Sequence, residues 1–145
     1  MADAFGVDKE LGFTLHTDKY FHSEVEEHFI KEDKVEEFDF GEGMRNIYST
    51  KPSTKIIAYS NGEVNLSSND YGKGRCVYIA GLPYSEQNTR LLMRALYYSA
   101  NKENEFKKWY ADNLYCEVHA YPSINKYAVL NNTNKEQVTN VYDGN

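Results

Sequence analysis

The sharpest pattern in this chain lies between Arg45 and Ala100, where apolar positions change their period from two to nearly four. Asn46 to Thr50 is a short strand candidate, closed by Lys51-Pro52-Ser53. Lys55-Ile56-Ile57-Ala58-Tyr59-Ser60 predicts a second strand, and Asn61-Gly62 a hairpin turn, since both residue types tolerate positive φ. Glu63 to Asn69 returns, with Val64 and Leu66 alternating against polar neighbours. Asp70-Tyr71-Gly72-Lys73-Gly74 turns again into Arg75–Ala80. There Cys76-Val77-Tyr78-Ile79-Ala80 is almost wholly apolar and predicts the most buried strand. The corner Gly81-Leu82-Pro83-Tyr84 then leads to Ser85, a helix cap, and an amphipathic helix from about Gln87 to Ala100. Leu92, Ala95, Leu96 and Ser99 are expected to share its inner face, widened by Leu91. A strand entering a capped helix in this way is half of the repeating unit of an α/β domain.

The flanks are less patterned. Met1 to about Asp18 reads as loop and short strand. In Ser23–Phe40, rich in Glu, Asp and Lys, Val25, Phe29 and Ile30 fit one weak helical face, while Val35, Phe38 and Phe40 favour an extended segment. Glu103–Trp109 predicts a second, turn-linked helix. Leu114–Tyr121, Tyr127–Asn131 and Gln137–Tyr142 predict three short strands in an antiparallel meander. The expected division is residues 1–112 and 113–145, and the expected class is mixed α/β followed by a small β unit. The abrupt start and the end on a strand suggest a piece cut from a longer polypeptide.

Composition narrows the function classes. A formal charge of −6 over 145 residues argues against nonspecific binding to nucleic acid or an anionic membrane. No apolar run reaches the roughly 20 residues of a membrane span, and the N-terminus lacks the pattern of a secretory signal. Cys76 and Cys116 make no disulfide framework, so a reducing cytoplasm is the expected compartment. Asn65-Leu66-Ser67 and Asn131-Asn132-Thr133 match the glycosylation triplet, which has meaning only in a secretory context. The 13 tyrosines suit both strands and carbohydrate-facing surfaces.

Each candidate site has a plainer reading. Ser85 follows Pro83 and lacks the second glycine of a G-x-S-x-G elbow, so it reads as a cap and not a nucleophile. Cys76 lies at the wrong end of its strand to be an elbow residue and reads as a core thiol. Cys116-Glu117-Val118-His119 places its Cys and His on opposite faces of a strand, which cannot grip one metal. His16, His22 and His28 are spaced by six, and read as solvated. Glu24–Glu27 and Glu32–Glu37 lack the spacing of a Ca²⁺ loop. The glycines of Gly72-Lys73-Gly74-Arg75 precede a strand, so they serve a hairpin and not a phosphate. Glu86 and Arg90 suit an i, i+4 ion pair; Arg90 and Arg94 also suit an interdomain contact or an anion. Trp109 and Tyr110 fit either a domain junction or a sugar platform. No pair of carboxylates can be nominated for glycoside chemistry, and no catalytic, cofactor-binding or metal-binding residue is assigned.

The run Gly74–Leu92 resembles the galactosyl-N-acetylhexosamine phosphorylases. Ala2-Asp3-Ala4-Phe5-Gly6-Val7-Asp8-Lys9-Glu10, Ala128-Val129-Leu130-Asn131-Asn132-Thr133 and Gln137-Val138-Thr139-Asn140-Val141-Tyr142-Asp143-Gly144 extend the resemblance in the family's order. The resemblance implies the late part of a class I glutamine-amidotransferase-like middle domain, without its catalytic Cys, and the start of a C-terminal β domain. It implies a parent enzyme that reversibly splits β-galactosyl-N-acetylhexosamines with inorganic phosphate, giving galactose 1-phosphate; some relatives prefer galactosyl-rhamnose. The catalytic acid would lie in a preceding barrel, so no catalytic position is carried over. The implied partners are that barrel and further copies in a homo-oligomer, with no cofactor. Two other classes compete: a stand-alone carbohydrate-binding or interaction module, and an amidotransferase-like enzyme, which the missing Cys elbow argues against.

Overall fold

The computed structural model describes residues 1–11, 25, 27–60 and 62–143. In chain order the elements are α1 (Ala2–Phe5), β1 (Val7–Lys9), a 3₁₀ turn (Phe29–Lys31), β2 (Ile47–Ser49), β3 (Lys55–Ser60), β4 (Glu63–Tyr71), β5 (Gly74–Ile79), α2 (Glu86–Ser99) and α3 (Glu103–Phe106). They are followed by β6 (Tyr110–Ala111), β7 (Cys116–Tyr121), a second 3₁₀ turn (Pro122–Ile124), β8 (Lys126–Asn131) and β9 (Val141–Tyr142). The fold is mixed α/β, with every described strand pair antiparallel.

β3, β4 and β5 form one sheet with β4 in the middle. Its two faces carry two cores. Ile57 and Leu66 pack with Ile30, Leu91, Ala95 and Tyr98 under α2. Ile56 and Val64 pack with Val7 and Ile47 of the β1–β2 pair. Ile56 and Ile57 face opposite ways, as neighbours on a strand must. Val64 and Leu66 are two apart, yet belong to different cores. The register explains this: it shifts between Ile56 and Ala58 and again between Ala58 and Tyr59, so the strands bulge and the second half of the hairpin is re-aimed. Fully buried Leu66 and Leu91 each contribute about 2–3 kcal/mol of apolar burial.

Burial does not fall where the apolar run suggests. β4, with buried Ser67, Ser68 and Asn69, is the enclosed strand, whereas β5 is half-buried at the sheet edge. An edge strand needs no alternating polar face to be recognised as such; its neighbours decide. Asn69 donates from Nδ2 to the Ala4 carbonyl at 2.8 Å and Thr54 from its hydroxyl to the Gly6 carbonyl at 2.9 Å, which ties α1 to the sheet. Gly72, at φ +59, makes the β4–β5 turn, so these glycines serve a hairpin.

Three expectations change further along. The inner face of α2 is Leu91, Arg94, Ala95 and Tyr98, while Leu92 and Leu96 are exposed. Apolar residues at 91, 92, 95 and 96 span two adjacent faces, and the sheet takes only one. The helix after Glu103 stops at Phe106, not Trp109. The last three strands are not a meander: β7 and β8 form a hairpin, but β9 returns to pair with β6. The Ser23–Phe40 segment holds only the 3₁₀ turn in its described part.

Candidate functional site

The geometry converges on α2. Ser85 caps it, its hydroxyl accepting from Asn88 N at 3.1 Å, which fixes Ser85 as a cap. Gly81, just before, is required for close approach: a Cβ there would lie 2.2 Å from the Phe40 carbonyl oxygen. The corner is therefore a packing device against the 40–43 loop.

Four polar residues of α2 then collect the irregular segment in front of it. The Gln87 side-chain oxygen accepts from Val35 N and Glu36 N, both at 2.9 Å. Asn88 donates to the Asp39 carbonyl at 2.6 Å and the Pro83 carbonyl at 2.7 Å. Arg94 is 1% exposed, sandwiched between the rings of Phe29 and Phe106 at 4.7 and 4.5 Å. It donates to the Phe29 carbonyl at 2.9 Å and sits 2.7 Å from Asp33 Oδ1. One turn earlier, Arg90 donates to the carbonyls of Ala111 and Asn113, both at 3.1 Å, to the Tyr110 hydroxyl at 2.9 Å, and to Asp33 Oδ2 at 3.3 Å. Tyr110 in turn donates to Asp33. Burial, reinforced by that bond, pushes its phenol up to about 12.

Arg90 thus fixes the chain just where it leaves α3 for the C-terminal strands. Beyond it, Asp112 accepts from Asn140 N at 2.9 Å and Asn140 Nδ2 at 2.7 Å; the Asn140 bonds hold its carboxyl below the usual range. Asn113 Nδ2 donates to the Val138 carbonyl at 2.9 Å. The helix, the 29–33 segment and the β6–β9 pair are one hydrogen-bonded junction.

A groove of about 490 Å³ opens beside this junction, between α2 and the β7–β8 hairpin. Met93 and Tyr97 of α2, with Phe106, Trp109, Tyr110 and Leu114, give it an apolar lining, and Tyr84 stands at its lip. Across from α2, the hairpin presents Glu117, His119 and Asn132. Asn132 donates to Glu117 Oε1 at 2.9 Å, and His119 Nε2 lies 3.3 Å from Glu117 Oε2.

The sequence candidates divide accordingly. Arg90 and Arg94 come together at the junction, and Arg90 pairs with Asp33 instead of Glu86, so the i, i+4 helix pair is replaced by a long-range one. Tyr110 belongs to both the junction and the groove, and Trp109 to the groove. Cys116 is buried and His119 exposed, on opposite sides of β7. Cys76 is a half-buried free thiol on β5. His16 and His22 lie outside the described residues. His28 is not solvated: its Nδ1 accepts from Ile30 N at 3.2 Å, capping the 3₁₀ turn, and its ring meets Tyr98 edge-on. Burial, with Lys55 and Arg75 nearby, lowers its pKa to about 4. Asp33, Gln87 and the Glu117–Asn132 pair escaped the sequence reading, and Asn88 stood out only as the third residue after the Ser85 cap. Gln87 and Asn88 carry a usable signal, being polar residues at positions that continue the helix face of Leu91 and Ala95.

Fold and junction define a mixed α/β unit clamped to a small antiparallel β unit. The model of the lacto-N-biose phosphorylase central domain matches residues 1–104, and that of the C-terminal domain of the same enzyme matches residues 109–145. The chain belongs to the lacto-N-biose phosphorylase family. Among curated relatives, a 1,3-beta-galactosyl-N-acetylhexosamine phosphorylase of Lachnoclostridium phytofermentans is 49% identical over 144 residues, covering 99% of this chain and 20% of that enzyme. The enzyme of the same name from Bifidobacterium longum subsp. longum is 37% identical, covering 97% of this chain and 23% of its own length. A D-galactosyl-beta-1->4-L-rhamnose phosphorylase of L. phytofermentans is 31% identical, covering 97% and 19%. The chain spans about a fifth of the length of these relatives.

Proposed function

We propose that this chain is a non-catalytic part of a glycoside phosphorylase that reversibly converts β-galactosyl-N-acetylhexosamine and inorganic phosphate to galactose 1-phosphate and the free N-acetylhexosamine. The observation that carries the reading is the run of two family matches, central then C-terminal, over nearly the whole chain. Phosphorolysis needs a carboxylic acid to protonate the leaving oxygen and a phosphate held against the anomeric carbon. Phosphate is already a nucleophile, so an inverting enzyme needs no second carboxylate to activate it. On this reading the acid, the phosphate site and the sugar contacts belong to other parts of the polypeptide. The role of this part is to hold two domains in fixed relation, which the Arg90–Arg94 junction suits.

The reading includes a division into residues 1–112 and 113–145, with an amidotransferase-like shape for the first. The passage from β5 through a tight corner into a capped helix supports that shape. It also includes a cytoplasmic location and a homo-oligomer. Among the described residues no helix is long and apolar enough to cross a membrane. The exposed Leu92, Leu96 and Tyr84 suit packing against a catalytic barrel or a further copy.

The test is phosphate release from galactose 1-phosphate plus N-acetylglucosamine, measured for this chain and for the longer polypeptide that contains it. Turnover only in the longer polypeptide is expected. Turnover in neither, across N-acetylhexosamine and rhamnose acceptors, would sink the reading.

A further inference from the structure

We infer that the groove between α2 and the β7–β8 hairpin is a binding site for a neutral pyranose sugar. Its volume of about 490 Å³ falls within the range of ligand pockets, roughly 300–1,000 Å³. The lining is divided by chemistry. Trp109, Tyr97 and Met93 offer apolar faces, and Glu117, His119 and Asn132 on the hairpin offer hydrogen-bonding edges.

Other ligand classes fit this division poorly. An anion needs a free cation, but Arg90, the arginine at the groove, is already engaged by Tyr110, Asp33 and three backbone carbonyls. Glu117 would also repel it. A wholly apolar ligand would cover Glu117 and Asn132 without replacing their contacts with water, at a cost of a few kcal/mol. A sugar ring satisfies both sides. Its axial C–H groups pack on aromatic faces, while its hydroxyls donate to the Glu117 carboxylate and accept from Asn132 and His119. The Glu117–Asn132 and Glu117–His119 contacts hold the three groups together on one side of the groove.

Trp109 is the chain's single tryptophan, so the protein carries its own reporter. The experiment titrates the 145-residue chain with D-galactose and with N-acetyl-D-glucosamine while following tryptophan emission. Glycerol and sodium phosphate serve as controls. The expected result is a saturable change with a dissociation constant on the order of millimolar for at least one sugar, and none for the controls. Glu117→Gln and Asn132→Ala change exposed side chains, so the fold is retained; each should weaken binding by about tenfold. Saturation-transfer NMR on the sugar gives a second readout that does not depend on the indole. Emission and transfer both unchanged up to about 100 mM sugar would overturn the site, as would an equal response to glycerol or undiminished binding by both variants. Binding is read without turnover, so this result and the phosphorolysis assay can fail separately.

Discussion

The β3–β4–β5 sheet and the β7–β8 hairpin are built from similar strands and held by different means. β4 is covered on both faces, by α2 and the 3₁₀ turn at Phe29–Lys31 on one side and by β1–β2 on the other. Every residue of β8 is exposed, including Tyr127, Val129 and Leu130. A two-stranded hairpin is marginal by itself in water. The sheet thus keeps its register through two-sided burial, whereas the hairpin is held at its base, where Leu114 and Cys116 are buried beside the polar junction, and by Tyr127 against the Trp109 ring. Apolar strand residues bury surface, and so stabilise, only where a second layer meets them.

The sharpest way to break this comparison is a matched truncation. Leu66→Ala removes a side chain at 0% exposure from the centre of the sheet, and should cost about 3–4 kcal/mol. Leu130→Ala, on the exposed hairpin, should change stability by less than about 0.5 kcal/mol. Chemical denaturation midpoints at constant slope report both. Equal losses would mean that the hairpin has a covered face in solution.

Arg90→Met should come next, at about 2–3 kcal/mol. The guanidinium is 10% exposed on its side chain and satisfies backbone carbonyls that methionine would leave without their donor. Loss should be local: amide hydrogen exchange should accelerate through β6, β9 and the hairpin, and stay slow in β4. Acceleration in β4 to the same degree would show one cooperative unit in place of two.

Much of the first region can be read from local signals. Gly62 and Gly72 mark turns, Ser85 marks a helix start, and β2 to α2 fall within a residue or two of their expected bounds. What local signals lack is the identity of the covering layer. Leu91 and Leu92 are chemically alike, and only the sheet decides that the first is buried. The polar core of the junction is harder still, because Gln87, Asn88 and Arg94 meet partners 49 to 65 residues away. At the groove, Trp109 and Tyr110 stand out as aromatics, but Glu117 and Asn132 come together only once the hairpin register is set.

The smallest effect is pH-dependent, and it separates the two regions by chemistry. His28 sits against Tyr98 under the sheet, faced by Lys55 of β3, Arg75 of β5, Glu103 of α3 and Lys31 beside it. Its folded pKa of about 4 lies below the ordinary 6.5, so on acidification the unfolded chain takes up the proton first. The unfolded state therefore binds more protons between about 6.5 and 4, and stability falls as pH drops through that window. The loss should be on the order of 1 kcal/mol, discounted because the ring is only half-buried. His28→Asn keeps an acceptor for the Ile30 amide and removes the titrating ring, so it should flatten the profile. Since His28 belongs to the first region, the acid-induced rise in amide exchange should begin around Ile30 and β4 before it reaches β7 and β8. An unaltered pH profile in the variant would assign the acid loss to other groups and leave His28 as a cap alone.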